Sequence, residues 1–229
     1  RYFRLPEGRK LLAQVAGAAG DPLRAQVQLR RDFPPAMCRA GLALVDLQRR
    51  AADKFARAGE MFFDREGLEM ATREEVARYR AWRLREAGDV ADLCCGIGGD
   101  LVALGQGRTV WAADADRRRL AMARHNGEVY GVERAHFVAA DVQTLAPKAD
   151  AVFIDPARRS DRRRRRGEEY SPPLSWIADV RRRVPQVVVK VGPAIPEQDL
   201  PGACEVEFVS SSGQCREGVL YFGACATTS

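Results

Sequence analysis

Residues 89–105 read DVADLCCGIGGDLVALG, and the order of side chains within them sets the fold. A short apolar run from Val90 to Cys95 passes into a turn holding Gly96, Gly98 and Gly99, and then into the helical pattern Leu101 to Leu104. Strand, glycine-rich turn and helix is the unit with which open α/β sheets hold a nucleotide. Two carboxylates, Asp92 and Asp100, flank the turn.

Those carboxylates decide which nucleotide fits. Pyrophosphate sits on a helix N-terminus because free N–H groups and the dipole favour anions, and Asp100 would repel it there. The glycine spacing, C-G-x-G-G, also departs from the dinucleotide pattern G-x-G-x-x-G. S-adenosylmethionine lacks phosphate and carries a sulfonium and an ammonium group, which nearby carboxylates favour. The turn therefore suits a methyl donor.

Working outward, strand-like runs recur at DVADLCC, TVWAAD, AHFVAAD, ADAVFID, PQVVVKV, CEVEFVS and GVLYFGA, with helical segments between them. That alternation predicts an α/β fold with a doubly wound, mostly parallel seven-stranded sheet. The last two runs are separated by SSGQCRE alone, which predicts a terminal antiparallel hairpin. Residues 1–71 read as an N-terminal helical region and 72–229 as the cofactor-binding domain. In the first part, EGRKLLAQVAGAAG and AMCRAGLALVDLQRRAADKFA have helical spacing, and Asp21 with Pro22 predicts a helix start at DPLRAQVQLRRDF. Thr72 and Glu75 predict a capping box for the helix TREEVARYRAWRLREAG.

Carboxylates end successive strands. Asp114 lies about 20 residues past the glycines, the distance at which an acid meets ribose hydroxyls. Asp141 ends the third strand, within reach of an adenine amino group, and Asp155 ends the fourth. In this register they converge on the crevice at the C-terminal edge of a parallel sheet.

ADLCCGIGGDLVALG, VWAADADRRRLAMARHNGEVYG and FVAADVQTL resemble the Rossmann-like methyltransferases. The likeness is greatest to the trimethylguanosine-synthase-like enzymes that methylate guanine N2 in RNA caps, and to bacterial relatives with a THUMP-like region. MFFDREGLEMATREEVARYRAWRL resembles the lead-in of that bacterial group. The resemblance implies that Asp92, Cys94, Cys95, Gly96, Ile97 and Gly98 surround the methionine portion of S-adenosylmethionine, Asp114 and Ala115 the ribose, and Asp141 with Val142 the adenine.

On the acceptor side, amine-methylating relatives carry Asp, Asn or Ser followed by Pro-Pro and an aromatic. This chain has Asp155 and Pro156, then Ala157 for the second proline and Arg158 for the aromatic. An arginine plane also stacks on a base. A second pattern, Asp155 with Lys190 and Glu217, resembles the Lys-Asp-Lys-Glu tetrad of ribose 2′-O-methyltransferases, where a lysine of lowered pKa takes the hydroxyl proton. Its first lysine has no counterpart, and Arg83 and Arg85 are poor substitutes. Seven arginines lie between residues 158 and 166, and of these Arg158, Arg159, Arg162 and Arg163 are the expected contacts to an RNA backbone.

The expectation is thus an S-adenosylmethionine-dependent methyltransferase acting on RNA, with base methylation favoured over ribose methylation and Asp155, Pro156 and Lys190 at the catalytic centre. A small-molecule or protein methyltransferase and a catalytically silent RNA-binding module are the rival readings. The net charge of +6 favours polyanionic partners without proving them. No apolar run reaches membrane-span length and no leader is evident, so a soluble, cytoplasmic monomer is expected. The chain opens on Arg1, which reads as a trimmed or partial sequence. Six cysteines without a C-x-x-C pair, and His125 and His136 alone beside them, predict no metal site and reduced thiols.

Overall fold

The strand and turn expected at residues 89–105 are present in the computed structural model, which describes residues 2–17, 27, 29–158 and 170–227. The chain divides into two compact units, residues 1–70 and 71–229.

In the first unit, helices α1 (Pro6–Gly17) and α2 (Pro35–Ala51) share an apolar cluster of Leu11, Val15, Leu29, Phe33, Cys38 and Val45. Gly41 makes the close approach possible, since a β-carbon there would lie 3.4 Å from the Leu11 side chain. The short helix α3 (Arg65–Met70) is tied in by Lys54, whose Nζ donates to the Leu68 carbonyl at 2.8 Å. The helix start expected at Asp21 and Pro22 lies outside the described residues.

The second unit begins with helix α4 (Glu74–Arg83) and carries strands β1 (Val90–Leu93), β2 (Val110–Asp114), β3 (Ala135–Ala139) and β4 (Ala151–Ile154). A two-residue ladder pairs β5 (Ala157–Arg158) with β6 (Tyr170–Ser171). The sheet is completed by β7 (Gln186–Val191), β8 (Glu205–Ser211) and β9 (Gln214–Gly223), in the order β3-β2-β1-β4-β7-β9-β8. β9 runs antiparallel to both neighbours, and the other observed pairings are parallel. The strand order reverses between β1 and β4, which is where such sheets bind ligands.

β1 and β4 are buried on both faces, and Val90, Ala91, Leu93, Ala151, Val152, Phe153 and Ile154 supply the apolar surface that this position demands. Asp92 is the exception, a fully buried carboxylate in a central strand. Helix α5 (Leu101–Leu104) follows the glycine turn, α6 (Arg117–Val129) joins β2 to β3, and α7 (Ile177–Arg181) precedes β7. Trp176 packs against the core there.

Two connections differ from the expected helical crossovers. Between β3 and β4 there is only a 3-10 turn, Val142–Thr144, and between β7 and β8 only Glu197–Asp199. The first connection, residues 140–150, is too short to form a helix and return to the sheet. One face of β1 to β3 is therefore left with a cleft of about 340 Å³, lined by Ala91, Trp111, Ala113, Val138 and Pro147. The hairpin loop is also tighter than SSGQCRE suggested. Ser212 and Gly213, with φ of 53° and 73°, form a two-residue turn, the geometry that follows strand twist.

Candidate active site

The glycine turn is shaped by three residues with positive φ: Cys94 at 64°, Gly96 at 54° and Gly98 at 84°. Gly98 is glycine for want of room as well, because a β-carbon would lie 3.1 Å from the Ala123 Cα on α6. At Gly96 a β-carbon would meet nothing within 4 Å, so the turn opens onto free space. Gly99 lets the backbone of Thr72 approach, a β-carbon there standing 3.2 Å from the Thr72 nitrogen.

Asp114 fastens the turn. Its Oδ2 accepts from the Gly96 N–H at 2.8 Å and its Oδ1 from the Asp116 N–H at 2.8 Å. Asp116 in turn caps α6 by accepting from Arg118 and Arg119, and those bonds hold its carboxyl below the usual range. Ala115 is exposed beside Asp114. Asp141 is exposed and caps the following turn, its Oδ1 accepting from the Gln143 N–H at 3.0 Å, while Val142 is buried. Ile97 and Cys95 are buried, and burial pushes both the Cys94 and Cys95 thiols up, so these are protonated, inert sulfurs.

Below the turn lies a cluster of charges on one face of the sheet. Residues i and i+2 of a strand share a face, so Phe153 and Asp155 project together, and parallel pairing of Ile154 with Val189 sets Lys190 beside Asp155. Lys190 lies opposite Val219, which places Glu217 two residues further along the same face. The Lys190 Nζ donates to Asp155 Oδ2 at 2.9 Å and to Thr72 Oγ1 at 3.1 Å, and lies 3.9 Å from Glu217 Oε2. The capping box expected of Thr72 and Glu75 does not form: Arg73 stands at the helix N-cap, and Glu75 accepts from the Ser211 hydroxyl instead.

The residue that sequence reasoning missed is Arg80. It projects from α4 into this cluster with 1 % of its surface exposed, and its guanidinium lies 4.2 Å over the Phe153 ring. NH1 pairs with Asp100 and NH2 with Glu217. Glu74, Val76, Ala77, Arg80 and Leu84 are buried in this segment, so Arg80 stands in the core-facing register of a helix whose largely polar sequence gives no signal of it. Arg83 and Arg85, considered as partners for the tetrad, lie elsewhere. Arg83 pairs with Glu205 and Glu207, and Arg85 covers the exposed Trp82.

Four carboxylates, Asp92, Asp100, Asp155 and Glu217, thus share this region with two cations, Arg80 and Lys190. Asp92 carries both oxygens buried and without a hydrogen-bond partner among the described residues. Burial, then the charges of Asp100 and Asp155, push its carboxyl well up. Burial also raises Asp155, against the pull of Lys190, and raises Glu217. For Lys190 burial acts downward, but Asp155, Asp100 and Glu217 together leave it raised, a retained cation.

A region with surplus negative charge and an orphaned buried carboxylate calls for a cationic ligand. S-adenosylmethionine, with its sulfonium and ammonium, meets that requirement. Among the described residues no group of three or more His, Cys, Asp or Glu is arranged to hold a metal ion, and no helix is long and apolar enough to cross a membrane. Pro156 is buried directly after Asp155. Arg159, Arg162 and Arg163 lie outside the described residues, as does the side chain of Arg158.

Residues 87–159 match the model of the RNA cap guanine-N2 methyltransferase family, and residues 1–51 match a domain of unknown function. An uncharacterised S-adenosylmethionine-dependent methyltransferase of Mycobacterium tuberculosis is 40 % identical over 193 residues, 79 % of this chain and 52 % of that protein. Among solved structures, a putative methyltransferase of Porphyromonas gingivalis W83 superposes with a TM-score of 0.76 at 21 % identity, over 96 % of this chain and 59 % of its own. Magnesium protoporphyrin IX methyltransferase of Synechocystis PCC 6803, solved with S-adenosylmethionine bound, gives 0.53 at 15 % identity, over 90 % and 99 %. Residues 71–229 have the Rossmann-like fold of the methyltransferases, and the chain is similar to S-adenosylmethionine-dependent members of that class. The chain spans about half the length of the curated relative it matches.

Proposed function

We propose that the protein transfers a methyl group from S-adenosylmethionine to an exocyclic nitrogen of a base in RNA, in the manner of guanine-N2 methylation. The observation that carries this reading is the state of Asp155: Lys190 holds its Oδ2 at 2.9 Å, and its Oδ1 has no partner among the described residues. A carboxylate oxygen free at the strand end can accept from an amine N–H and orient it.

The cofactor, when bound, supplies an electrophilic methyl group on sulfonium. Asp92 and the turn Cys94 to Gly98 would hold its methionine portion, Asp114 and Ala115 the ribose, and Asp141 with Val142 the adenine. Asp114 is already fixed by Gly96 and Asp116, so its remaining lone pairs are pre-oriented for hydroxyl donors. Attack by nitrogen moves positive charge onto the acceptor, and the surplus of carboxylates favours that product electrostatically. The amine sheds its proton afterwards, so no neutral lysine is required. Lys190, raised rather than lowered, suits a positioning cation.

RNA as the substrate is supported by the partial family match at 87–159 and by where the arginine run is rooted. Ala157 pairs with Ser171 and Arg158 with Tyr170, so the residues that flank the run on both sides are anchored directly after Asp155 and Pro156.

A second reading, ribose 2′-O methylation, draws on the convergence of Asp155, Lys190 and Glu217 with Arg80 as a further cation. It needs Lys190 neutral, which three neighbouring carboxylates oppose. Transfer of labelled methyl from S-adenosylmethionine to bulk RNA, followed by digestion to nucleosides, tests both. Label on guanine N2 is expected, and label on ribose would reverse the choice. Label only in metabolites or protein, or none at all, would remove the RNA methyltransferase reading.

A further inference from the structure

We propose that Arg80 is a positioning residue that keeps Lys190 on Asp155, by occupying the two carboxylates that would otherwise draw the lysine away. The inference rests on Asp155 as the acceptor-facing carboxylate of the proposed function.

The geometry states the competition directly. Lys190 Nζ lies 2.9 Å from Asp155 and 3.9 Å from Glu217. Attraction falls only as the inverse of distance, so Glu217 is a serious rival at that separation. It is also the more buried of the two, with 5 % of its side chain exposed against 24 % for Asp155. An unpaired charge is costliest where water is most excluded, which favours capture of Lys190 by Glu217. What prevents this is the NH2 group of Arg80 on Glu217 Oε1, with NH1 on Asp100. The planar fork serves two carboxylates at once, which a single ammonium cannot do as well. Phe153 beneath the guanidinium fixes its plane, so the fork is aimed before any ligand arrives.

With Arg80 removed, Asp92, Asp100, Asp155 and Glu217 would share one lysine among the described residues. Asp155 faces Lys190 from β7, Arg80 from α4, Asp100 from the turn, Asp92 from β1 and Glu217 from β9, and Cys94 lies close by as a neutral thiol. Loss of its lysine would leave it with carboxylates on every side, and it would take up a proton. A protonated Asp155 loses an acceptor oxygen for the substrate amine.

The experiment is a pH titration of the full chain with aspartate side-chain carboxyl carbons labelled with carbon-13. The Asp155 resonance is identified by its loss in Asp155→Asn. Arg80→Gln should move the Asp155 midpoint upward. If that variant does not fold, Arg80→Lys keeps the buried charge but serves one carboxylate, and should move the midpoint upward by less. Adding Glu217→Gln to Arg80→Lys removes the rival and should bring the midpoint back to the wild-type value or below it. A wild-type midpoint in the folded Arg80 variants overturns the proposal, and so does a raised midpoint that Glu217→Gln leaves in place. No acceptor is needed for the titration, so its failure is separate from a failure to methylate RNA.

Discussion

At the scale of single residues, the site is organised by carboxylates with different partners. Asp114 is committed to two backbone N–H groups, Asp155 to one lysine, and Asp92 to nothing among the described residues. Asp114→Ala removes the fastening of the turn and the expected ribose acceptor together. It should weaken S-adenosylmethionine binding by about 1.5–3 kcal/mol, the range for a hydrogen bond to a charged group. Calorimetry would measure this, with NADH as a control that should not bind. For base methylation, Asp155→Ala should be the severe change in methyl transfer and Lys190→Met the milder one, with cofactor affinity preserved in both. For ribose methylation the order reverses, because only a base could take the hydroxyl proton. The carboxylates at the strand ends were legible because strand periodicity and glycine spacing fix their register. Arg80 was not, because an arginine in a polar helix reads as solvated until the acids that bury it, 20 and 137 residues away, are brought alongside.

At the scale of elements, the glycine turn and the arginine run pose different tests. Gly98→Ala would force a side chain into φ of 84° and against α6, 3.2 Å from the Ala123 Cβ. A loss of stability of about 1–3 kcal/mol is expected, from left-handed strain plus overpacking, measurable by denaturant unfolding. The arginine run acts by charge alone. Replacing Arg162 to Arg166 by Ser should flatten the dependence of log affinity for RNA on log salt and leave S-adenosylmethionine affinity unchanged. Equal slopes for both proteins would assign the run to solvation. The strands were legible since each is a short, largely apolar run bounded by turn or helical segments, and the terminal hairpin since its loop is too short for a crossover. The missing helices after β3 and β7 were not, because a run of strands implies crossovers without saying what each connection contains. The failed capping box has the same origin. Thr72 had a competing partner in Lys190, 118 residues further on, which local pattern does not reveal.

For the molecule as a whole, the buried carboxylates tie stability to pH and to the cofactor. The folded-state pKa of Asp92 is raised above its unfolded value of about 4, by burial first and then by Asp100 and Asp155. Between those two values the folded chain binds more protons than the unfolded one, so unfolding free energy falls as pH rises. The contribution is fully present below the unfolded pKa and is lost as pH climbs through the folded one. Asp155 and Glu217, also raised, act in the same direction. Lys190, raised as well, loses its contribution only in the alkaline range above about 10, the ordinary lysine value. Thermal melts of the cofactor-free chain should therefore show a midpoint that falls as pH rises above the ordinary aspartate value of about 4. On the proposed reading, ionised Asp92 would pair with the ammonium group of bound S-adenosylmethionine and oppose that loss, so the stabilisation by a fixed cofactor concentration should grow over the same rise in pH. Asp92→Asn, which keeps the shape and removes the titration, should flatten both trends. Melts of that variant that track the wild type at every pH would place the proton uptake on another group and leave the two unpartnered oxygens of Asp92 without a role in binding.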